Sequence, residues 1–222
     1  MRRWSWIGDE STMKRGLIVF AREPLPGAVK TRLAAAVGDQ AAAELYELML
    51  RDTLENSLQL SDIETVVFFA CEEKSLPNLT ERYRCNSRRQ ISGSLGQRMQ
   101  AAFEEMFTAG CEICCIIGSD APDLPLAYIR DAFQLLAMLQ ADIVIGPSLD
   151  GGYYLLGLRQ VWPQLFVNIS WSTADVLEQS LSAAQVLGLE TSLLPEWQDI
   201  DTIEDLHAFQ ERNRLMVSEE SR

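Results

Sequence analysis

Short apolar runs, none longer than a strand, alternate along this chain with stretches of helical periodicity, and no other feature restricts the fold as much. Residues 17–21, 65–70, 114–118, 142–146 and 153–158 are such runs, most of them bounded by Gly, Pro or Asp. They read as strands buried on both faces. Between them Leu45, Leu48, Met49 and Leu58, then Leu95, Met99, Phe103, Met106 and Phe107, recur at helical spacing, and residues 126–139 form a further helix. Gly110 falls where a helix end takes a left-handed residue. Asp39 and Asp123 are expected to cap helices, and Ser172 with Asp175 and Thr202 with Asp205 to form capping boxes, the second opening a terminal helix of ten to fourteen residues. The polar, basic segment 71–90 reads as loop plus a short helix, and Leu193 with Leu194 as a short edge strand. This order predicts a single-domain α/β fold, a mostly parallel sheet with helices on both faces and right-handed crossovers. In such sheets ligands bind beyond the carboxyl ends of the strands.

A chain of 222 residues, 47% of them hydrophobic, can bury one core without disulfides or metals to brace it. Nineteen Lys plus Arg against 32 Asp plus Glu leave a net charge of −13, which disfavours nucleic acid and anionic membrane surfaces as partners. Among the five cysteines, Cys111 and Cys114 have a metal-ligand spacing. No second pair follows, and His207, the only histidine, is far away on a predicted helix. Reduced, buried thiols are expected. No apolar run reaches 18 residues, so no membrane insertion is expected and a cytoplasmic location is. Residues 1–12 lack periodicity and read as a disordered extension that Met13, as a start, would exclude; 13–212 form the domain and 213–222 a charged flexible tail.

The chemistry concentrates in loops at strand ends. After the first strand, residues 21–33 bring Arg22, Lys30 and Arg32 together, with Pro24 and Pro26 stiffening the loop and Gly27 allowing close backbone approach to a ligand. Three cations in so acidic a chain predict a phosphate-binding pocket at a helix start. It is not a Walker A loop, because Val29 stands where that motif requires glycine. Asp120, at the end of the strand over 114–118, is placed to present a divalent cation to a diphosphate. Asp150 sits in an Asp-Gly-Gly turn, an ordinary hairpin signal, and is the candidate base for an acceptor hydroxyl. Thr202 already supplies the cap of the last helix, so Asp201 is spare to close a metal site opposite Asp120. Trp171, Thr173, Gly151 and Gly152 are candidates for the wall of an acceptor pocket.

Residues 21–33, Gly93-Ser94-Leu95-Gly96-Gln97-Arg98-Met99, residues 118–125, residues 150–158 and residues 199–206, in that order, resemble the DUF2064 family. These are GT-A-type proteins also described as radical-SAM/selenodomain-associated transferase 1 or arsenosugar-biosynthesis glycosyltransferases. The resemblance runs from about Lys14 to Phe209. It implies the Rossmann-like nucleotide-diphospho-sugar transferase fold, shared with guanylyltransferases of cofactor synthesis. By that resemblance Lys30 and Arg32 match the phosphate-binding loop, Asp120 the metal-binding aspartate and Asp201 the second acidic position, and Arg98 lies near the nucleotide. Ser94 departs from the family's usual aspartate, which changes a contact to the donor. The expectation is a glycosyltransferase using Mg²⁺ or Mn²⁺, a nucleotide-diphospho-sugar and a small-molecule acceptor. Two alternatives stand beside it: a nucleotidyltransferase releasing pyrophosphate from a nucleoside triphosphate, and a non-catalytic nucleotide-binding protein.

Overall fold

The computed structural model describes residues 13–220, and side chains as far as Arg214; the expectations for residues 1–12 and for the end of the tail lie outside the described residues. The sheet is built around β1 (Arg15–Arg22), whose interior is almost wholly buried. β1 pairs in parallel with β2 (Ile63–Ala70) on one side and with β4 (Ile113–Gly118) on the other. β3 (Ser87–Arg89) extends the sheet beyond β2, while β6 (Tyr153–Leu158), β5 (Ile143–Pro147) and β7 (Thr191–Leu193) extend it beyond β4. The order is β3-β2-β1-β4-β6-β5-β7, and β6 alone runs antiparallel to its neighbours. The Asp-Gly turn therefore closes a hairpin between β5 and β6, and the remaining pairings are parallel.

Apolar side chains alternate to the two faces of these strands and make two cores. Leu17, Val19, Val67, Phe69, Cys115 and Ile117 belong to one, with Leu50 and Leu54 of α2 (Asp39–Ser57) and Ile129, Phe133 and Leu136 of α5 (Leu126–Ala137). Ile18, Val66, Phe68, Cys114 and Ile116 belong to the other, with Met99, Phe103 and Met106 of α4 (Leu95–Thr108) and Ala184 of α6 (Val176–Val186). Helices thus cover both faces. No described helix is long and apolar enough to cross a membrane.

Several local expectations give way. α2 begins at Asp39 itself, behind Gly38 at φ 86°, so Asp39 sits in the first turn and is not the cap. Asp123 makes no cap for α5; its Oδ2 accepts from Arg212 Nε at 3.0 Å and its Oδ1 from Trp197 Nε1 at 3.4 Å. Ser172 has φ 65°, which breaks the expected capping box, and α6 starts four residues later with Asp175 making no side-chain cap. The Thr202–Asp205 box does form: Thr202 N–H donates to Asp205 Oδ2 at 2.8 Å and Asp205 N–H to Thr202 Oγ1 at 3.2 Å. The helix it opens, α7 (Ile203–Glu220), runs past the expected ten to fourteen residues and through most of the segment expected as a tail. Between β2 and β3 lies α3 (Leu76–Tyr83), the short helix expected there; β3 itself went unpredicted because Ser-Arg-Arg carries no apolar signal.

Candidate active site

The carboxyl ends of β1 and β4 open into a cleft of about 820 Å³, lined by Lys30, Arg32, Arg98, Asp120, Asp150 and Asp201 among others. At its centre Lys30 Nζ stands 2.8 Å from Asp120 Oδ1 and 2.7 Å from Asp201 Oδ1. The Lys30 side chain is 4% exposed, whereas those of Asp120 and Asp201 are 39% and 37% exposed, so the carboxylates face the cleft and the ammonium lies beneath them. Burial by itself pushes the ammonium down; the two carboxylates outweigh it and hold Lys30 above its ordinary value. Lys30 adopts φ 48° and ψ 45°, a left-handed conformation immediately before the seven-residue α1 (Thr31–Val37). For a side chain with a Cβ that conformation costs roughly 1–2 kcal/mol, and here it is what aims the ammonium down between the two loops.

Backbone and side-chain bonds fix those loops. Ile200, fully buried, donates its N–H to the Asp120 carbonyl at 2.9 Å, so the segment carrying Asp199 and Asp201 is strapped to the end of β4. In an extended segment alternate residues share a side, and Asp199 and Asp201 both line the cleft while Ile200 fills the core. Beneath Asp120, the Tyr46 hydroxyl of α2 accepts the Arg22 N–H at 2.8 Å and shares a 2.8 Å hydrogen bond with buried Ser119 Oγ. Tyr46 is pushed up to about 12 by burial and by Asp120, so it stays a phenol and can act as donor. Asp199 accepts from Ser148 Oγ at 3.2 Å and is pushed up to about 6, first by burial and then by the charges of Asp201 and Asp150. Asp150 is exposed; its Oδ1 accepts the Gly152 N–H at 2.9 Å.

The basic residues divide. Arg32 is 70% exposed and reaches only within 4.0 Å of Asp201. Arg22 and Arg98 line the cleft, Arg98 held by a 2.7 Å bond from its Nη1 to Gln90 Oε1. Trp171, Thr173 and Gly152 also line it, whereas Gly27 and Gly151 do not. Gly27 turns the loop at φ 76°, and Gly151 lies against Ala174, whose carbonyl oxygen would sit 2.2 Å from an added Cβ. Those two glycines shape the chain around the cleft without forming its wall. Tyr46, Ser119, Gln90 and Asp199 were missed as site residues. Only Asp199 had a sequence signal, the Asp-Ile-Asp alternation beside the residue that was chosen.

The family model described as an uncharacterized protein conserved in bacteria, DUF2064, matches residues 53–173. A crystal structure from Desulfovibrio desulfuricans G20, assigned as a nucleotide-diphospho-sugar transferase, is 32% identical, with a TM-score of 0.85 over 90% of this chain and 88% of that one. The chain belongs to the DUF2064 family. More distant likenesses show that this DUF2064 fold is that of nucleotide-diphospho-sugar transferases and nucleotidyltransferases. CMP:2-keto-3-deoxy-manno-octonic acid synthetase complexed with CTP is 14% identical, with a TM-score of 0.56 over 93% of this chain and 99% of that one. Molybdopterin-guanine dinucleotide biosynthesis protein A from Archaeoglobus fulgidus is 16% identical, with a TM-score of 0.51 over 89% and 98%. No curated protein matches the sequence. The match to the family model includes Arg98, Asp120, Asp150 and Trp171 but stops short of Lys30 on one side and Asp201 on the other.

Proposed function

We propose that this DUF2064 protein is a metal-dependent glycosyltransferase that moves a sugar from a nucleotide-diphospho-sugar to a small-molecule acceptor. The observation that carries the reading is the convergence of Asp120 and Asp201, from loops 81 positions apart in sequence, on one buried ammonium. The likeness to the Desulfovibrio protein supports a sugar-nucleotide donor.

The donor set suits a hard divalent cation. Asp120, Asp150, Asp199 and Asp201 share the cleft, and burial together with the charges of Asp201, Asp150 and Asp120 raises Asp199. Among the described residues no three acidic, thiol or imidazole groups are arranged to hold an ion alone. Mg²⁺ takes one or two carboxylates and completes its shell with water and substrate phosphates, so a pair would be enough. Asp120 and Asp201 would hold Mg²⁺ or Mn²⁺, each keeping an oxygen free of Lys30. When bound, the ion would neutralise charge on the departing nucleoside diphosphate. Lys30 keeps the two carboxylates from repelling each other apart, and Arg32 adds positive charge at the rim, where departing phosphates leave for solvent. Asp150, exposed at the far wall, is placed to accept the proton of an acceptor hydroxyl. Trp171 and Thr173 border the space beside it.

Asp120→Asn should abolish turnover and metal-dependent donor binding; unchanged activity in Mn²⁺ would sink the assignment. A nucleotidyltransferase reading rests on the fold shared with two nucleotide-condensing proteins. Incubation with sugar nucleotides and with GTP or CTP separates the readings by product, since a glycosyl transfer releases a nucleoside diphosphate and a nucleotidyl transfer releases pyrophosphate. A purely binding role leaves the shared ammonium and its two carboxylates without a task, and predicts neither product.

A further inference from the structure

Arg98 and Arg22 face the cleft without a counter-charge. Among the described residues neither makes an ion pair, although the chain as a whole has a large excess of carboxylates. Arg98 is half-buried, and its Nε is enclosed with no hydrogen-bond partner. Burial and the nearby Arg22 both weigh against the Arg98 charge. Two guanidiniums kept close together, one of them with an unsatisfied donor, are an unfavourable arrangement until an anion joins them.

The residue that holds Arg98 in place is neutral. Gln90 is 6% exposed and spends its amide nitrogen on two main-chain carbonyls, Phe68 O at 2.7 Å and Ala21 O at 3.2 Å, at the ends of β2 and β1. Those bonds dictate which way the amide points, so Oε1 is presented to Arg98 Nη1. A carboxylate here would have neutralised Arg98 and faced two carbonyl oxygens. An amide orients the guanidinium and leaves its charge available.

We infer that Arg22 and Arg98, positioned by Gln90, form a phosphate-binding subsite that works without a metal ion and is separate from the carboxylates around Lys30. The inference builds on the transferase reading only in naming the ligand's source. A phosphoryl group could reach the subsite as part of the donor nucleotide or as part of an anionic acceptor, and the chemistry of recognition is the same.

The test is titration calorimetry of the whole protein with pyrophosphate in EDTA. Wild type should bind. Arg98→Gln and Arg22→Gln should each weaken binding about tenfold or more, with Arg98→Lys recovering part of the loss. Gln90→Glu should weaken it similarly by pairing with Arg98, and the neutral Gln90→Met by only about threefold, because it loses orientation and keeps the charge. A purely structural Gln90 would not separate those two variants. Since Gln90→Glu could unfold the strand ends, thermal melts accompany the series; Arg98→Gln leaves the carbonyl bonds of Gln90 intact and carries the test by itself. No binding by wild type in EDTA, or affinities within twofold of wild type in both arginine variants, overturns the subsite. Displacement of pyrophosphate by GDP, UDP or CDP in EDTA assigns the subsite to the donor, and pyrophosphate binding that these leave untouched assigns it to the acceptor; both outcomes support it. The measurement involves neither metal nor turnover, so it can succeed where the proposed transfer fails, and the reverse.

Discussion

Lys30 and Arg98 are cations on the wall of one cleft, and their surroundings are opposite. Lys30 is buried between two carboxylates that outweigh it, while Arg98 is held by a neutral amide and has no counter-charge among the described residues. The first arrangement organises acidic groups and the second leaves a positive charge to be used. A basic residue near phosphates in sequence need not be the one that binds them. Lys30 is expected from its loop, with Arg22 and Arg32, to meet phosphate, and in the structure its ammonium pairs with Asp120 and Asp201.

The largest effect should come from breaking the acidic side. Lys30→Met leaves Asp120, Asp199 and Asp201 facing one another. Losing one partner of a buried ion pair costs about 3–5 kcal/mol; with both carboxylates more than a third exposed, about 2 kcal/mol is expected in urea unfolding, along with loss of turnover. Next comes the wall beside Arg98. A Cβ at Gly96 would lie 2.6 Å from the Phe166 carbonyl oxygen and 2.6 Å from Trp171 Nε1. Gly96→Ala should therefore cost about 1–2 kcal/mol and displace Trp171, which a change in tryptophan fluorescence would report. If Gly96→Ala proves more damaging than Lys30→Met, the ion cluster is not the stronger determinant of this cleft.

Tyr46→Phe touches both sides, since its hydroxyl joins the Arg22 backbone to Ser119 beside Asp120. A loss of about 1–2 kcal/mol is expected, because two buried groups lose a partner; a smaller loss would mean that the two loops hold their places independently. A further effect concerns pH. Asp199 takes a proton more readily in the folded protein, at about 6, than in the unfolded chain. Its contribution is thus full below the unfolded value near 4 and is lost as pH rises through 6. In EDTA, Asp199→Asn should match wild type at pH 4 and be the more stable of the two at pH 8, read from paired melts. Equal stability at both pH values would show that neither burial nor the neighbouring carboxylates raise Asp199.

Most strands were legible because parallel strands buried on both faces are written as continuous apolar runs, as residues 65–70 and 114–118 are. β3 was not, since a three-residue edge strand of Ser and Arg is held by its pairing with β2 and not by its side chains. The capping box at Ser172 failed for a reason invisible in composition: a positive φ removes the extended geometry a cap requires. Asp120 and Asp201 could be chosen because strand ends and helix starts are readable. Their sharing of Lys30 could not be, because it depends on the left-handed turn at residue 30 and on the strap at Ile200. Gln90 and Tyr46 are ordinary residues in ordinary segments, and only the carbonyls and hydroxyls that surround them give them a role.

The Lys30–Asp201 contact spans 171 positions. A chain made from its N-terminus exposes Lys30 early and Asp201 among the last fifth of its residues. Until then the ammonium has Asp120 at most, and the strap that Ile200 throws across to β4 is missing. The acidic half of the cleft is therefore the last part of the cleft to be made during synthesis, whereas Arg22, Gln90 and Arg98 all lie in the first hundred residues.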